Sequence, residues 1–231
     1  MKLLVLPVTF LSTLTVADAF RSSFVGGRGQ IIRPENTNRM SDTMLCMKTI
    51  AVFGASGLTG SEVCYQALKE GNSVIGLTRN PSNLNIPEGS GGADAGKPLN
   101  DPNLTMIAGD VTNKEDVAKV FEKGIDGVVI ALGGKTSDVG ETMLTDGTNN
   151  VIAAMKEKGV KRVSVVTSIG AGDSEDQAPF AFKVLMFTVM KKIFLDKNNQ
   201  EDAIVNSGLE YCIVRPGGLY VPCLIFVIVT F

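Results

Sequence analysis

Three glycines with two residues between each pair, Gly54, Gly57 and Gly60 in KTIAVFGASGLTG (residues 48–60), form the part of this chain best suited to holding an anion. An apolar run, residues 50–53, leads into them and a periodic apolar segment, residues 63–68, follows. That order predicts a strand, a tight turn and a helix. A helix N-terminus presents unpaired amides and the positive end of its dipole, so a dinucleotide's pyrophosphate fits there. The three glycines serve the turn, the approach of backbone to phosphate, and the packing of helix on strand. Ser56 and Thr59 bring hydroxyls to the same loop, and Leu58 lies between the last two glycines.

The elements that position such a loop read as alternating strands and helices, which predicts an α/β doubly wound parallel sheet in a single domain. Strands are expected at residues 49–53, 73–77, 104–108, 127–132, 162–167 and 211–214. Helices are expected at residues 61–70, 145–158 and 200–206. Thr112-x-x-Glu115 reads as a capping box that opens one more helix, and Gly159 reads as the residue that ends the helix before it. Residues 80–103, rich in Asn, Pro and Gly, are expected to be a long mobile loop. Residues 178–194 are strongly apolar and could cover a flat ligand or pack as a core helix.

In such sheets ligands lie at the carboxyl ends of the strands, so the residues just after each strand carry the chemistry. Arg79 follows the second strand, where a cation meets the 2′-phosphate of NADP and a carboxylate would meet the ribose of NAD. NADP(H) is therefore expected in preference to NAD(H). Asp110 follows the third strand and can accept from an adenine amino group, with Val111 on the ring; a helix-entry cap is the other reading of Asp110. Ala131, Leu132 and Gly133, with Gly134, follow the fourth strand and let a cofactor pass close to the backbone. Thr167 and Ser168 follow the fifth. Pro216 and Gly217 follow the sixth, with backbone that could face a nicotinamide.

Composition narrows the choice. The chain has 231 residues, 44% of them hydrophobic, and a net charge of −2, so nothing electrostatic favours nucleic acid. Histidine is absent, which removes the commonest general base and zinc ligand. The four cysteines show no C-x-x-C spacing, and no metal site is expected. Residues 1–19 read as a signal peptide, with a short basic start, an apolar stretch and Ala17-Asp18-Ala19 as the cleavage site. Residues 20–46 are basic, carrying Arg21, Arg28, Arg33 and Arg39, and the whole leader resembles a bipartite plastid-targeting leader; secretion is the alternative. The mature domain, residues 47–231, is expected to have no transmembrane segment. Its last residues, 220–231, are almost wholly apolar without a closing turn, and read as a chain that stops early or as a buried last strand.

The set GASGLTG, Thr78-Arg79-Asn80, Gly109-Asp110-Val111, Ala131-Leu132-Gly133-Gly134, VVTSIGAG and SGLEYCIVRPGGL resembles the atypical short-chain dehydrogenase/reductase superfamily. Within it the chain is most similar to the NmrA-like and flavin reductase/biliverdin-IXβ reductase type, to which several plant chloroplast proteins belong. The resemblance spans residues 48–219. It implies a Rossmann domain that binds NADP(H), with a pocket for a small-molecule acceptor over the nicotinamide. It also places Lys197, in Lys197-x-x-x-Glu201, near the cofactor ribose, and Ser168 beside the substrate. These two are the catalytic candidates. The superfamily's Tyr-x-x-x-Lys is missing: Lys197 has Ile193 four places earlier, and Tyr65-x-x-x-Lys69 falls on the first helix. Reduction of a flavin or tetrapyrrole-like acceptor fits that absence, since its chemistry belongs to cofactor and acceptor. A non-catalytic NADP(H)-binding redox sensor or plastid assembly factor is the alternative.

Overall fold

A computed structural model describes residues 47–133, 141–178, 180–188 and 190–216. The leader, the apolar stretch 220–231, Gly134 and Gly217 lie outside the described residues. The fold is a six-stranded parallel sheet in the order β3-β2-β1-β4-β5-β6. The strands are β1 (Thr49–Phe53), β2 (Ser73–Thr78), β3 (Leu104–Ala108), β4 (Gly127–Ile130), β5 (Arg162–Val166) and β6 (Glu210–Val214). The chain order reverses direction between β1 and β4, which opens a crevice at the carboxyl ends of those two strands. The helices are α1 (Leu58–Lys69), α2 (Lys114–Val120), α3 (Met143–Lys158), α4 (Phe180–Phe187) and α5 (Lys191–Val205).

The central strands are apolar on both faces because both faces are covered. Ala51, Phe53, Val128 and Ile130 pack with α2, α3 and Ile204 of α5. Ile50, Val52 and Val129 pack with Val63, Cys64 and Ala67 of α1. Residues 80–103 replace the helix that usually joins β2 to β3. They are not a loose connection. Ile86 N donates to Lys97 O at 2.7 Å, Gly96 N to Ile86 O at 2.9 Å and Leu99 N to Leu84 O at 3.1 Å. Leu84 is buried and Leu99 packs on the α1 face. The tip is fastened to α1, since Ser90 Oγ donates to Glu62 Oε1, which also accepts from Gln66 Nε2 at 2.9 Å. The expected mobile loop is thus a fastened segment, and its apolar and polar anchors are too sparse to show as periodicity.

Other boundaries differ from the sequence reading for physical reasons. α1 begins at Leu58, inside the glycine motif, because Gly57 is the extended N-cap residue (φ −73°, ψ 166°). The capping box is displaced by one residue: Asn113 is the N-cap, its side chain accepting from Glu115 N at 2.9 Å and Asp116 N at 3.2 Å. Thr112 instead donates to Asp110. α5 begins at Lys191 rather than at residue 200. Its buried face carries Asp196, Gln200 and Glu201, so an apolar stripe is absent where one was sought. The apolar stretch 178–194 divides between α4 and α5. Phe182, Met186 and Phe194 form a satellite cluster, while Val184, Phe187 and Leu195 are exposed. Gly159 closes α3 as expected, with φ +72° and Val160 N donating to Met155 O at 2.9 Å. No helix among the described residues is long and apolar enough to cross a membrane.

Candidate functional site

The glycine turn lies between the carboxyl end of β1 and α1. Gly54 has φ +82°, and a Cβ there would stand 2.5 Å from the Ala131 carbonyl oxygen. Gly60 has an ordinary φ, but a Cβ on it would stand 2.0 Å from the Gly54 carbonyl oxygen. These two positions are closed to every other residue. Gly57 differs: its φ is ordinary and a Cβ would meet only the Gly54 oxygen, at 3.3 Å. What its missing side chain provides is an open mouth in front of the helix. The turn is fixed by Gly54 N and Ala55 N donating to Leu77 O (3.1 and 3.3 Å) and Gly57 N to Gly54 O (3.0 Å). The amides of Leu58, Thr59 and Gly60 have no acceptor among the described residues. They are the first three of α1, where an anion is favoured. Leu58 is 77% exposed, so its amide is what it can offer a phosphate. Ser56 Oγ is engaged with Thr78 Oγ1 at 2.5 Å, tying the turn to β2, which leaves the Thr59 hydroxyl without a described partner.

At the end of β2, Arg79 is exposed and forms no ion pair among the described residues. Its field reaches Asp110, whose carboxyl is held below the usual range chiefly by the Thr112 amide, then by the Thr112 hydroxyl. Both bonds go to Asp110 Oδ1 (2.8 and 2.7 Å), so Oδ2 can still accept from a ligand. Asp110 is thus a turn-former with one free oxygen and not the helix cap. Val111 does not lie open to a ring. It is 8% exposed, and its methyl groups sit where a Cβ on Gly147 of α3 would come, at 2.7 Å. Asn150 of α3 holds this turn, its Nδ2 donating to Val111 O (3.0 Å) and Thr112 O (2.9 Å). Beyond β4, Ala131 N donates to Phe53 O at 2.9 Å, Leu132 is buried toward Gly147, and Gly133 is exposed.

The far side of the crevice is built by the ends of β5 and β6 and by α5. Ser168 Oγ turns back to the Ile169 carbonyl at 3.2 Å. Pro216 O accepts from Ile169 N at 3.0 Å, which continues the β5–β6 pairing beyond the strands. α5 runs antiparallel to the strands, as a crossover helix must, so its N-terminal half stands at their carboxyl edge. Asp196 is fully buried and accepts from Leu144 N (2.8 Å), Thr145 N (3.0 Å) and Thr145 Oγ1 (2.5 Å), capping α3 from a neighbouring helix. Asn198 Oδ1 accepts from Gly172 N at 2.9 Å, and Gln200 Nε2 donates to Thr148 Oγ1 at 2.9 Å. Glu201, 3% exposed, accepts from Thr167 Oγ1 at 2.6 Å and from Arg215 through Nε at 3.0 Å and Nη2 at 2.5 Å. Lys197 is half-buried, with no hydrogen bond or ion pair among the described residues. Burial holds its amine below the ordinary lysine range, outweighing the opposing fields of Glu201 and Asp196.

Of the residues named from the sequence, the structure places the turn, Arg79, Asp110 and Lys197 along the carboxyl edge; Asp196, Asn150 and the Arg215–Glu201 pair were not named as site residues. Glu201 was visible only as a spacing from Lys197, and Arg215 only as part of a motif. Tyr65 and Lys69 do share α1, with Lys69 Nζ 4.9 Å from the Tyr65 ring centroid, away from the β5 end. Tyr211 lies in the first half of β6. No tyrosine stands at the carboxyl edge among the described residues.

These features define a doubly wound nucleotide-binding domain. Residues 54–221 match the NAD(P)H-binding family, and the chain belongs to it. It is 29% identical over 179 residues to an uncharacterised chloroplastic protein of Arabidopsis thaliana, covering 74% of this chain and 59% of that one. It is 24% identical over 204 residues to the chloroplastic protein TIC 62 of Pisum sativum, covering 82% of this chain and 35% of that one. The chain thus spans about half the length of these two curated relatives. Among solved structures, the anaerobillin reductase ChuY of Escherichia coli O157:H7 shares the fold, with a TM-score of 0.54 at 24% identity and 74% of each chain covered.

Proposed function

We propose that the chain is an NADPH-dependent reductase of a planar conjugated acceptor, a flavin or a linear tetrapyrrole, acting in a plastid. The observation that carries this reading is a half-buried amine, Lys197, at the carboxyl edge of a nucleotide-binding sheet, with neither a partner nor a tyrosine beside it among the described residues. The cradle fits a dinucleotide: Gly54 and Gly60 have no room for a Cβ, and three successive amides await an acceptor. Arg79, exposed and without an ion pair among the described residues, meets the 2′-phosphate that separates NADP from NAD, and Asp110 Oδ2 accepts from the adenine. When bound, the nicotinamide supplies a hydride to the acceptor.

The chain's own residues bind and orient the reactants. Lys197 donates from its ammonium to the acceptor atom that gains electron density, or bonds to the cofactor ribose and leaves that proton to water. In both cases the acceptor gains one hydride and one proton. Ser168 orients the acceptor, and the exposed apolar side chains of α4, Val184 and Phe187, offer it a flat covering. The chloroplastic relatives support the plastid location, and the solved anaerobillin reductase supports an acceptor of tetrapyrrole type.

The test is to mix purified protein with NADPH and a panel of flavins, biliverdin and quinones and follow the loss of NADPH absorbance. Turnover that falls at least tenfold in Lys197→Ala is the expected result. Tight NADPH binding without turnover on any acceptor would refute the reductase reading and favour a redox sensor or assembly factor.

A further inference from the structure

The middle of α5 carries six consecutive polar residues, 196–201, four of whose side chains hold neighbouring elements. Asp196 binds the start of α3, Asn198 the turn at Gly172, Gln200 the Thr148 hydroxyl, and Glu201 the ends of β5 and β6. Lys197 lies among them without a bond among the described residues. On a helix its natural partner is Glu201, four residues on and one turn away. That pair does not form. Glu201 Oε1 is taken by Thr167 Oγ1 and Arg215 Nε, and Oε2 by Arg215 Nη2. Arg215 is held in turn by Asp173 through Nη1. The turn closes tightly over the pair. Gly172 has φ +55°, and a Cβ there would stand 2.4 Å from Glu201 Oε2 and 2.7 Å from Arg215 Nη2.

We propose that Arg215 and Thr167 are positioning residues for Lys197: by occupying both oxygens of Glu201 they prevent a Lys197–Glu201 ion pair and keep the amine free for a ligand in the crevice. This rests on the reading of Lys197 as a site residue given above. A planar guanidinium fork suits the role, because it covers two carboxylate oxygens at once where an ammonium covers one. The arrangement also accounts for a buried ion pair that would otherwise cost desolvation for little net stability. The charged groups on the elements packed against this part of α5 are Asp146 in the first turn of α3, Asp173, Glu175 and Asp176 in the turn, Lys183 on α4 and Arg215 beyond β6. Asp146 accepts from Thr142, Asp176 pairs with Lys183, and on α5 Asp196 is committed to α3. Arg215 would release two carboxylates, Asp173 and Glu201, and Glu201, one helical turn from Lys197, is the one placed to pair with it.

The experiment reads the lysine itself, in free protein without NADPH or acceptor. Competitive acetylation across pH, mapped by mass spectrometry, gives the titration midpoint of each amine. In the wild type Lys197 should titrate below the exposed lysines. In Arg215→Met, checked by circular dichroism for a folded state, its midpoint should rise by about one pH unit, the effect of a carboxylate brought within contact. Adding Glu201→Gln to Arg215→Met should reverse the rise. Thr167→Val, a milder change, should give a smaller rise, and it decides the matter if Arg215→Met does not fold. A midpoint unmoved in the folded variants, or a wild-type Lys197 that titrates like the exposed lysines, overturns the proposal. Because no turnover is needed, a protein that reduces no acceptor but shows these shifts sinks the reductase reading alone.

Discussion

Replacing Gly60 by alanine pits two opposing effects against each other. Gly60 lies in the first turn of α1, and alanine is the better helix former by about 1 kcal/mol. Intrinsic preference alone would make the variant more stable. The added methyl, however, would stand 2.0 Å from the Gly54 carbonyl oxygen, 2.8 Å from its carbon and 2.9 Å from the Ala55 Cα. These are backbone atoms, fixed by the bonds of Gly54 N and Ala55 N to Leu77 O, so no side-chain rotation relieves the contact. Overpacking of this kind costs about 1–3 kcal/mol. The backbone contact offsets the helix preference, and the net loss of stability should reach about 2 kcal/mol at most. Binding should suffer more. The loop must move away from α1, which misaligns the amides of residues 58–60. Losing two charge-assisted bonds of about 1.5–3 kcal/mol each weakens NADPH by about 3–6 kcal/mol, a hundredfold or more in Kd. Calorimetric titration of NADPH measures the second quantity and urea denaturation the first. Gly57→Ala is the control, since its Cβ meets one atom at 3.3 Å and its φ is ordinary. That variant should keep its stability within about 0.5 kcal/mol and lose affinity only by crowding the phosphate. A Gly60→Ala protein that binds NADPH as the wild type does would refute the cradle.

Arg79→Ala should raise the Kd for NADPH by about tenfold to a hundredfold and leave NADH unchanged, as one charge-assisted phosphate contact requires; paired titrations with the two coenzymes check it. Asp196→Ala should lower stability by about 2–3 kcal/mol in urea denaturation, because two backbone amides and a hydroxyl at the start of α3 lose a buried acceptor. Burial pushes the Cys64 thiol up to about 12. In the unfolded chain it titrates near about 8.5, so between those values the folded state holds the extra proton and stability falls as pH rises. The wild type should therefore lose about 2 kcal/mol more than Cys64→Ala between pH 8 and pH 10, read from urea midpoints at the two pH values.

The parts of this protein that were legible in the sequence are those whose physics is local. A strand buried on both faces must be an apolar run, and a backbone that passes within contact of another must be glycine. Residues 50–53 and the glycines at 54 and 60 announce themselves for those reasons. The same logic placed the end of α3 at Gly159. Where the reading failed, the determinant was non-local. α5 was shortened because its inward face is polar, and a buried Asp196 or Glu201 is stable only through partners that are distant in sequence: Leu144 and Thr145 for one, Thr167 and Arg215 for the other. Val111 was assigned to a ligand because its place after β3 is legible, whereas Gly147, the residue that receives it, lies on another element. The fastening of residues 80–103 through Glu62 and Ser90 belongs to the same class.

This division has a consequence for the two halves of the crevice. The β1–β2–β3 half is shaped by backbone: a turn, a helix start and one exposed guanidinium. It can be transferred among proteins with many acceptors, because a nucleotide is all that it meets. The β5–β6 half is shaped by a side-chain network in which α5 is tied to α3, to the turn at Gly172 and to both strand ends. Each tie takes up a polar group that burial would otherwise penalise, while the Lys197 amine and Gln200 Oε1 are left without a partner among the described residues. An amine whose neighbours are tied to other elements of the fold has little rearrangement to make when a ligand arrives. On the proposed reductase reading, specificity for the acceptor comes from the residues around that amine rather than from the cradle, so exchanging Ser168 or the α4 side chains should change which acceptor is reduced in the NADPH absorbance assay while NADPH affinity stays as it was.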